Sequence, residues 1–281
     1  MASILPLRTP SLRDRVSTAE WDVRVDLAAC YRLVARYGMT DLVYNHITAR
    51  IPGPEHHILI NAYGMLYEEI TASSLIKVDL DGNVVVRPEG IDYSVNAAGY
   101  VIHSAVHATR ADVACVIHTH TRAGIAVSTM QEGLLPLSQT AMRFHGHLAY
   151  HDYEGPAFNR GERDRLVADL GARNAMVLRN HGLLACGPSV PQAFNLIYWL
   201  ENACRIQVDT LACNRPLRVP PAAVIEGTAA ALSGTEITLE NERETNPHLQ
   251  RDAQQSGSGY GLLEWPALLR MLDRADPSYR D

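Results

Sequence analysis

Histidines at metal-ligand spacing are the residues of this chain best suited to chemistry. His118 and His120 close the run Val113-Ala114-Cys115-Val116-Ile117-His118-Thr119-His120, whose β-branched and small apolar residues predict a buried strand. Side chains two apart on a strand share a face, so the two imidazoles leave the strand end together. Two neutral nitrogen donors aimed at one point suit a divalent transition metal. A second apolar run, Ala175-Met176-Val177-Leu178-Arg179-Asn180-His181-Gly182, also stops at a histidine. If the two strands are neighbours, His181 completes a three-histidine site with positions left open for substrate, the pattern of a catalytic metal rather than a closed structural one.

The elements that must position these rings carry a resemblance. Ile117-His118-Thr119-His120, Leu178-Arg179-Asn180-His181-Gly182-Leu183 and the long helix that follows are similar to the class II aldolase/adducin family, from about residue 27 to residue 212. Tyr44-Asn45-His46-Ile47-Thr48 and Ser94-Val95-Asn96-Ala97-Ala98-Gly99 are closer to the adducin-like branch than to the sugar-phosphate aldolases. The resemblance implies an α/β, three-layer fold with a central, mostly antiparallel sheet flanked by helices. It also implies a homotetramer with active sites at subunit boundaries, and a divalent metal held by His118, His120 and His181. Zinc is the first expectation, with manganese or iron(II) as alternatives. In such enzymes the metal acts as a Lewis acid, and the charge left by a breaking carbon–carbon bond is held as a metal-bound enolate.

The departures from the family pattern narrow the chemistry. The aldolases use a glutamate near the metal to move the proton, and an Asn, Thr, Ser and Ser pocket to hold a substrate phosphate. Aligned on His118, the glutamate position is Gly99 and the two serines are Ala97 and Ala98, while His46 and Tyr63 stand at the Asn and Thr positions and Gly64 is retained. A phosphate dianion would lose most of its neutral donors there, which disfavours a sugar-phosphate substrate. Retro-aldol cleavage needs a base for a hydroxyl proton, whereas decarboxylation needs only an acid to protonate the carbanion.

The expectation is therefore a metal-dependent lyase, decarboxylating rather than retro-aldol, acting on a small non-phosphorylated carboxylated or hydroxylated carbonyl or aromatic compound. His103, His46, Tyr63 and His145 are the candidate acids. Gly64, Ala97, Ala98, Gly99, Tyr150 and His151 are the candidate substrate-binding residues, with Tyr153 beside them. Two alternatives share the scaffold: a non-heme iron(II) oxygenase or oxidative decarboxylase on the same three histidines, and a non-enzymatic, adducin-like assembly protein.

Composition removes other classes. A net charge of -6 over 281 residues, with no Lys/Arg run, leaves no basic surface for nucleic acid. The five cysteines are odd in number and show no CxxC spacing, which fits a reducing compartment. No apolar run approaches the roughly 20 residues of a membrane span, and the N-terminal residues lack signal-peptide character, so a cytoplasmic protein is expected.

The remaining pattern supplies the scaffold. Residues 1–16 read as an arm, residues 17–215 as the metal-binding domain and residues 216–281 as an extension. Ser17-Thr18-Ala19-Glu20 predicts a capping box opening a helix that Gly38 stops. Strands are expected at 45–51, 57–61, 75–80 and 84–86, the last two joined by an Asp81-Gly82 turn. Helices are expected at 96–109, 122–130, 161–171 and 190–212, and on the first of these Gly99, His103 and His107 share one face. The polar and aromatic stretch 143–153 is assigned no element. Gly257-Ser258-Gly259-Tyr260-Gly261 reads as a hinge or surface loop, because no strand precedes it.

Overall fold

The computed structural model describes residues 9–155, 161–232 and 260–281. The chain opens with helix α1 (Thr18–Arg36), and Ser17 accepts the Glu20 backbone N–H at 3.1 Å. Only that half of the expected capping box forms. The Glu20 carboxylate turns instead to the buried Arg24 guanidinium at 2.8 Å and to Lys77 at 2.9 Å, because an arginine buried four residues along requires a counter-charge. Leu27, Tyr31 and Val34 bury the inner face of α1, as the helical spacing predicts. The Tyr31 hydroxyl accepts the Ile47 backbone N–H at 2.9 Å and so ties the helix to the strand that carries His46.

Among the described residues eight strands form one sheet: β1 (His46–Arg50), β2 (Ile58–Ile60), β3 (Ile76–Val78), β4 (Val84–Val86), β5 (Cys115–Thr119), β6 (Leu148–His151), β7 (Ala175–Leu178) and β8 (Gly182–Gly187). Their spatial order is β4-β3-β2-β1-β5-β8-β7-β6. β6 runs parallel to β7, and every other pairing is antiparallel. The strand carrying the HxH pair therefore lies between β1 and β8, with His118 opposite His46 on one side and opposite Leu184 on the other.

Helices cover both faces. Helix α2 (Ala97–Thr109) and helix α5 (Glu162–Leu170) enclose a core of Ile102, Val106, Val116, Leu166, Met176 and Leu184. On the opposite face α1, α3 (Arg122–Ser128) and α6 (Val190–Ala212) enclose the larger core, which includes Leu27, Ile117, Val127, Leu183 and Leu200. A short helix, α4 (Gln139–Met142), leans on α6. This is the three-layer α/β arrangement the family resemblance implies.

Besides the short α4, which the sequence reading did not expect, further elements differ from it among the described residues. Strand β6 lies inside the stretch left without an element; its polar residues Tyr150 and His151 concealed a two-residue alternation that pairing with β7 makes visible. Helix α7 (Ala222–Leu232) forms from the small-residue stretch after Pro221. Helix α8 (Trp265–Ala275) lies in the expected extension, yet its Trp265 and Leu272, with Tyr279 beyond it, are buried in the larger core. Trp265 donates its indole N–H to Asp26 at 2.8 Å and packs on Phe194, joining α8 to α1 and α6. Of the Gly-rich segment read as a hinge, residues 257–259 lie outside the described residues.

Candidate metal centre

The three histidines arrive by two different local devices. His118 is the penultimate residue of β5 and His120 follows the strand's last residue, so the alternation carries both to the α2 side at the strand end. His181 sits in the three-residue turn between β7 and β8, where Leu178 pairs with Gly182. Asn180 closes that turn at φ +55°, a left-handed conformation that asparagine tolerates. Gly182 is required by close approach, since a Cβ there would lie 2.3 Å from the Thr119 carbonyl oxygen. The Asn-His-Gly motif is thus the chemistry of a tight turn pressed against the end of β5.

The rings meet through their Nε2 atoms. His120 Nε2 lies 2.8 Å from His118 Nε2 and 3.0 Å from His181 Nε2. The far nitrogens of two rings are engaged elsewhere: His118 Nδ1 with the Leu183 carbonyl at 2.9 Å, and His120 Nδ1 with the Asp41 carboxylate at 3.0 Å. Both partners only accept hydrogen bonds, so each Nδ1 carries the proton and each Nε2 turns a bare lone pair inward. Lone pairs that face one another cannot satisfy each other. A cation between them can, and three imidazoles form a donor set suited to divalent zinc, manganese or iron.

Electrostatics point the same way. Burial, followed by the neighbouring His120 and His181, holds His118 well below the ordinary histidine range. Burial, followed by His120, pushes His181 down to about 4. Rings kept neutral are the form that binds metal. Among the described residues, these three are the cluster whose ligand atoms could hold a metal ion, all lying within 4.8 Å of one another.

Residues 25–208 match the family model described as the class II aldolase and adducin N-terminal domain. The chain belongs to the class II aldolase and adducin family. It is 48% identical over 280 residues, 98% of each chain, to a protein of Caulobacter vibrioides named provisionally as an aldolase class 2 protein. It is 47% identical over 191 residues to rat alpha-adducin, covering 68% of this chain and 26% of that one. The crystal structure of an aldolase II superfamily protein from Pseudomonas syringae superposes with a TM-score of 0.84 at 48% identity, covering 97% of this chain and 100% of the other.

Position 99, which the sequence reading equates with the aldolase glutamate, has no room for a side chain. Gly99 is in the first turn of α2, and a Cβ placed on it would lie 2.1 Å from His46 Cε1 and 2.3 Å from His46 Nε2. The His46 imidazole therefore fills the space a side chain at 99 would need. Its ring centroid lies 5.6 Å from that of His118. Burial pushes His46 down to about 4, and neither ring nitrogen has a hydrogen-bond partner.

The other candidates separate. His103 packs behind His46, tilted by 47° at 4.3 Å between centroids, and is fully buried, with Nδ1 2.7 Å from Thr48 Oγ1. Tyr63 is half-buried with its ring 6.3 Å from that of Tyr44, and Tyr93 closes over the neighbouring Gly64. Ala97 and Ala98 form the first two residues of α2. His145 is exposed in the turn before β6, on the rim of a cavity of about 160 Å³ with Leu134, Pro136 and Tyr150. Tyr150 receives the Leu134 backbone N–H at 3.0 Å beneath the Arg179 guanidinium. These last two are not gathered with the three-histidine cluster in this chain. His151 is buried on the α5 side with Nδ1 2.7 Å from Asp169, lining a small cleft shared with Tyr153 and His181.

Asp41 and Thr48 are the contacts the sequence reading did not assign. Tyr153 stands edge-on to His181 at 6.2 Å. Asp41 is 79 residues from its histidine partner, and no spacing rule connects two such positions.

Proposed function

We propose that the protein is a divalent-metal-dependent carbon–carbon lyase acting on a small, non-phosphorylated carboxylated carbonyl or aromatic compound, with decarboxylation favoured over retro-aldol cleavage. The convergence of three Nε2 atoms beside a glycine whose side-chain space is filled by an imidazole carries this reading. His118, His120 and His181 would hold the ion, zinc first and manganese or iron(II) as alternatives. When bound, such an ion supplies Lewis acidity toward substrate oxygens.

The rest falls to the chain's own side chains. Among the described residues the cluster of potential ligands contains no carboxylate, and Asp41 is engaged by His120. A base for a substrate hydroxyl, which retro-aldol cleavage requires, is thus missing from the ligand set. Decarboxylation releases carbon dioxide and then needs one proton at carbon. His46 stands opposite His118 across the strand pair. Kept neutral by burial, its ring carries one N–H, the proton it would give to the carbon, and a solvent proton would replace it after the product leaves. Small-molecule substrates, a homotetramer and a cytoplasmic location complete the reading. No helix among the described residues is long and apolar enough to cross a membrane.

A second reading, a non-enzymatic assembly role, is favoured by the 47% identity to rat alpha-adducin. Metal analysis of protein prepared without added metal or chelator separates the two when made beside His118→Ala and His181→Ala. A stoichiometric ion in the wild type, lost in both variants, is expected. It should be accompanied by carbon dioxide release from a panel of keto and aromatic acids. Release without oxygen uptake supports the lyase, and coupled oxygen uptake would transfer the assignment to an iron(II) oxygenase. A metal-free oligomer with no turnover overturns the enzymatic reading.

A further inference from the structure

We infer that Asp41 is a positioning residue for the metal centre, setting the tautomer and orientation of His120; the inference rests on the metal reading above. His120 lies beyond the end of β5, and its side chain is 20% exposed, so the strand alone does not fix its ring. The contact that does so is His120 Nδ1 to Asp41 Oδ2 at 3.0 Å. A carboxylate only accepts, so this bond demands the Nδ1–H tautomer and leaves the Nε2 lone pair directed at His118 and His181. The opposite tautomer would set two acceptors against each other at Asp41 and point an N–H into the cluster.

The two ends of this contact are tied to the same helix. Gly38, at φ +65°, turns the chain out of α1 toward Asp41. Arg205 on α6 donates to the carbonyls of Tyr37 at 3.1 Å and Gly38 at 3.3 Å. Its guanidinium is held by buried Glu201 at 2.7 Å, and the other Glu201 oxygen accepts from the hydroxyl of Thr121, the residue after His120. Thr121 also caps α3 through the Gly124 N–H. A closed circuit therefore runs from His120 through Thr121, Glu201, Arg205 and Gly38 to Asp41 and back. An isolated, half-exposed His–Asp pair would be worth little. Here its geometry is fixed from both sides, and outer carboxylates that orient ligating histidines typically govern metal affinity.

The test uses cobalt(II) and zinc titrations of the full chain, the ring-nitrogen NMR shifts of His120 in metal-free protein, and melting of the metal-free forms. Asp41→Ala and Asp41→Asn should raise the metal dissociation constant about 10- to 100-fold, with Asp41→Glu recovering part of the loss and the metal-free melting temperature unmoved. In wild type the His120 proton should reside on Nδ1, and in Asp41→Ala it should distribute over both nitrogens. A wild type that binds cobalt with an affinity and tautomer indifferent to Asp41 overturns the inference alone. A wild type that binds no metal, yet has an Asp41-dependent His120 tautomer, refutes the metal centre and leaves the orienting role standing.

Discussion

His118, His120 and His181 meet at the end of β5 with their Nε2 atoms turned toward one another, whereas His103 and His107 lie behind them under α2 with one nitrogen each turned to Thr48. The Thr48 hydroxyl is 2.7 Å from His103 Nδ1 and 2.8 Å from His107 Nε2. One hydroxyl can accept from one ring and donate to the other, so this pair closes on itself without an ion. The remaining nitrogens, His103 Nε2 and His107 Nδ1, are buried without partners. His46 separates the two groups, touching His103 on one side and His118 on the other. The contrast teaches that a cluster of histidines becomes a metal site through where its lone pairs point. Burial does not make the site, since His103 and His107 are fully buried whereas His120 and His181 are only partly so.

The sharpest way to break this comparison is at the partition. Gly99→Ala places a methyl group in the His46 ring and should cost about 3 kcal/mol in urea denaturation, the cost of overpacking a filled core. His46→Ala/Gly99→Ala should recover most of that loss, because the two residues compete for one volume. Equal costs in the single and double variants would show that the His46 ring does not fill the space beside Gly99 in solution.

Thr48→Val probes the closed pair. It preserves shape and removes the one hydroxyl both rings use, so it should cost about 1–3 kcal/mol of stability while leaving metal affinity at the wild-type value. A loss of metal in this variant would join the two groups into one functional unit and dissolve the distinction.

Acid supplies the gentlest test. Burial, followed by the Arg50 guanidinium, pushes His107 down to about 3, and burial, followed by His46 and His107, lowers His103 well below its usual value. Both rings are neutral in the folded state and accept protons near pH 6.5 once unfolded. Their contribution to stability is therefore complete above about pH 6.5 and is lost progressively as pH falls toward 3. Melting temperatures of the metal-free protein should decline over that window. A His103→Gln/His107→Gln variant should decline less steeply.

The local part of this design was legible in the residues. The β-branched run into His118-Thr119-His120 and the apolar run into Asn180-His181-Gly182 fixed two strand ends and the rings they present, because strand alternation and turn stereochemistry act over a few residues. Helix α6 appears at the expected residues 190–212 for the same reason: Ser189 caps its start, and a long apolar repeat sustains it. The family resemblance also foretold a mostly antiparallel three-layer sheet, which residue spacing does not contain.

Tertiary structure decided the rest. Strand β6 exists because β7 offers it a parallel partner, and α8 is core because Asp26 and Phe194 receive Trp265 across the fold. The reason position 99 is glycine became visible only when β1 set the His46 ring against α2. Asp41 reaches His120 only because α6 holds both the end of α1 and the start of α3. Such contacts join residues far apart in the chain, and their energies depend on distances that no local pattern encodes. The sequence by itself determined which rings this protein presents, and the packing of α1, α2 and α6 against the sheet determined which way their nitrogens point.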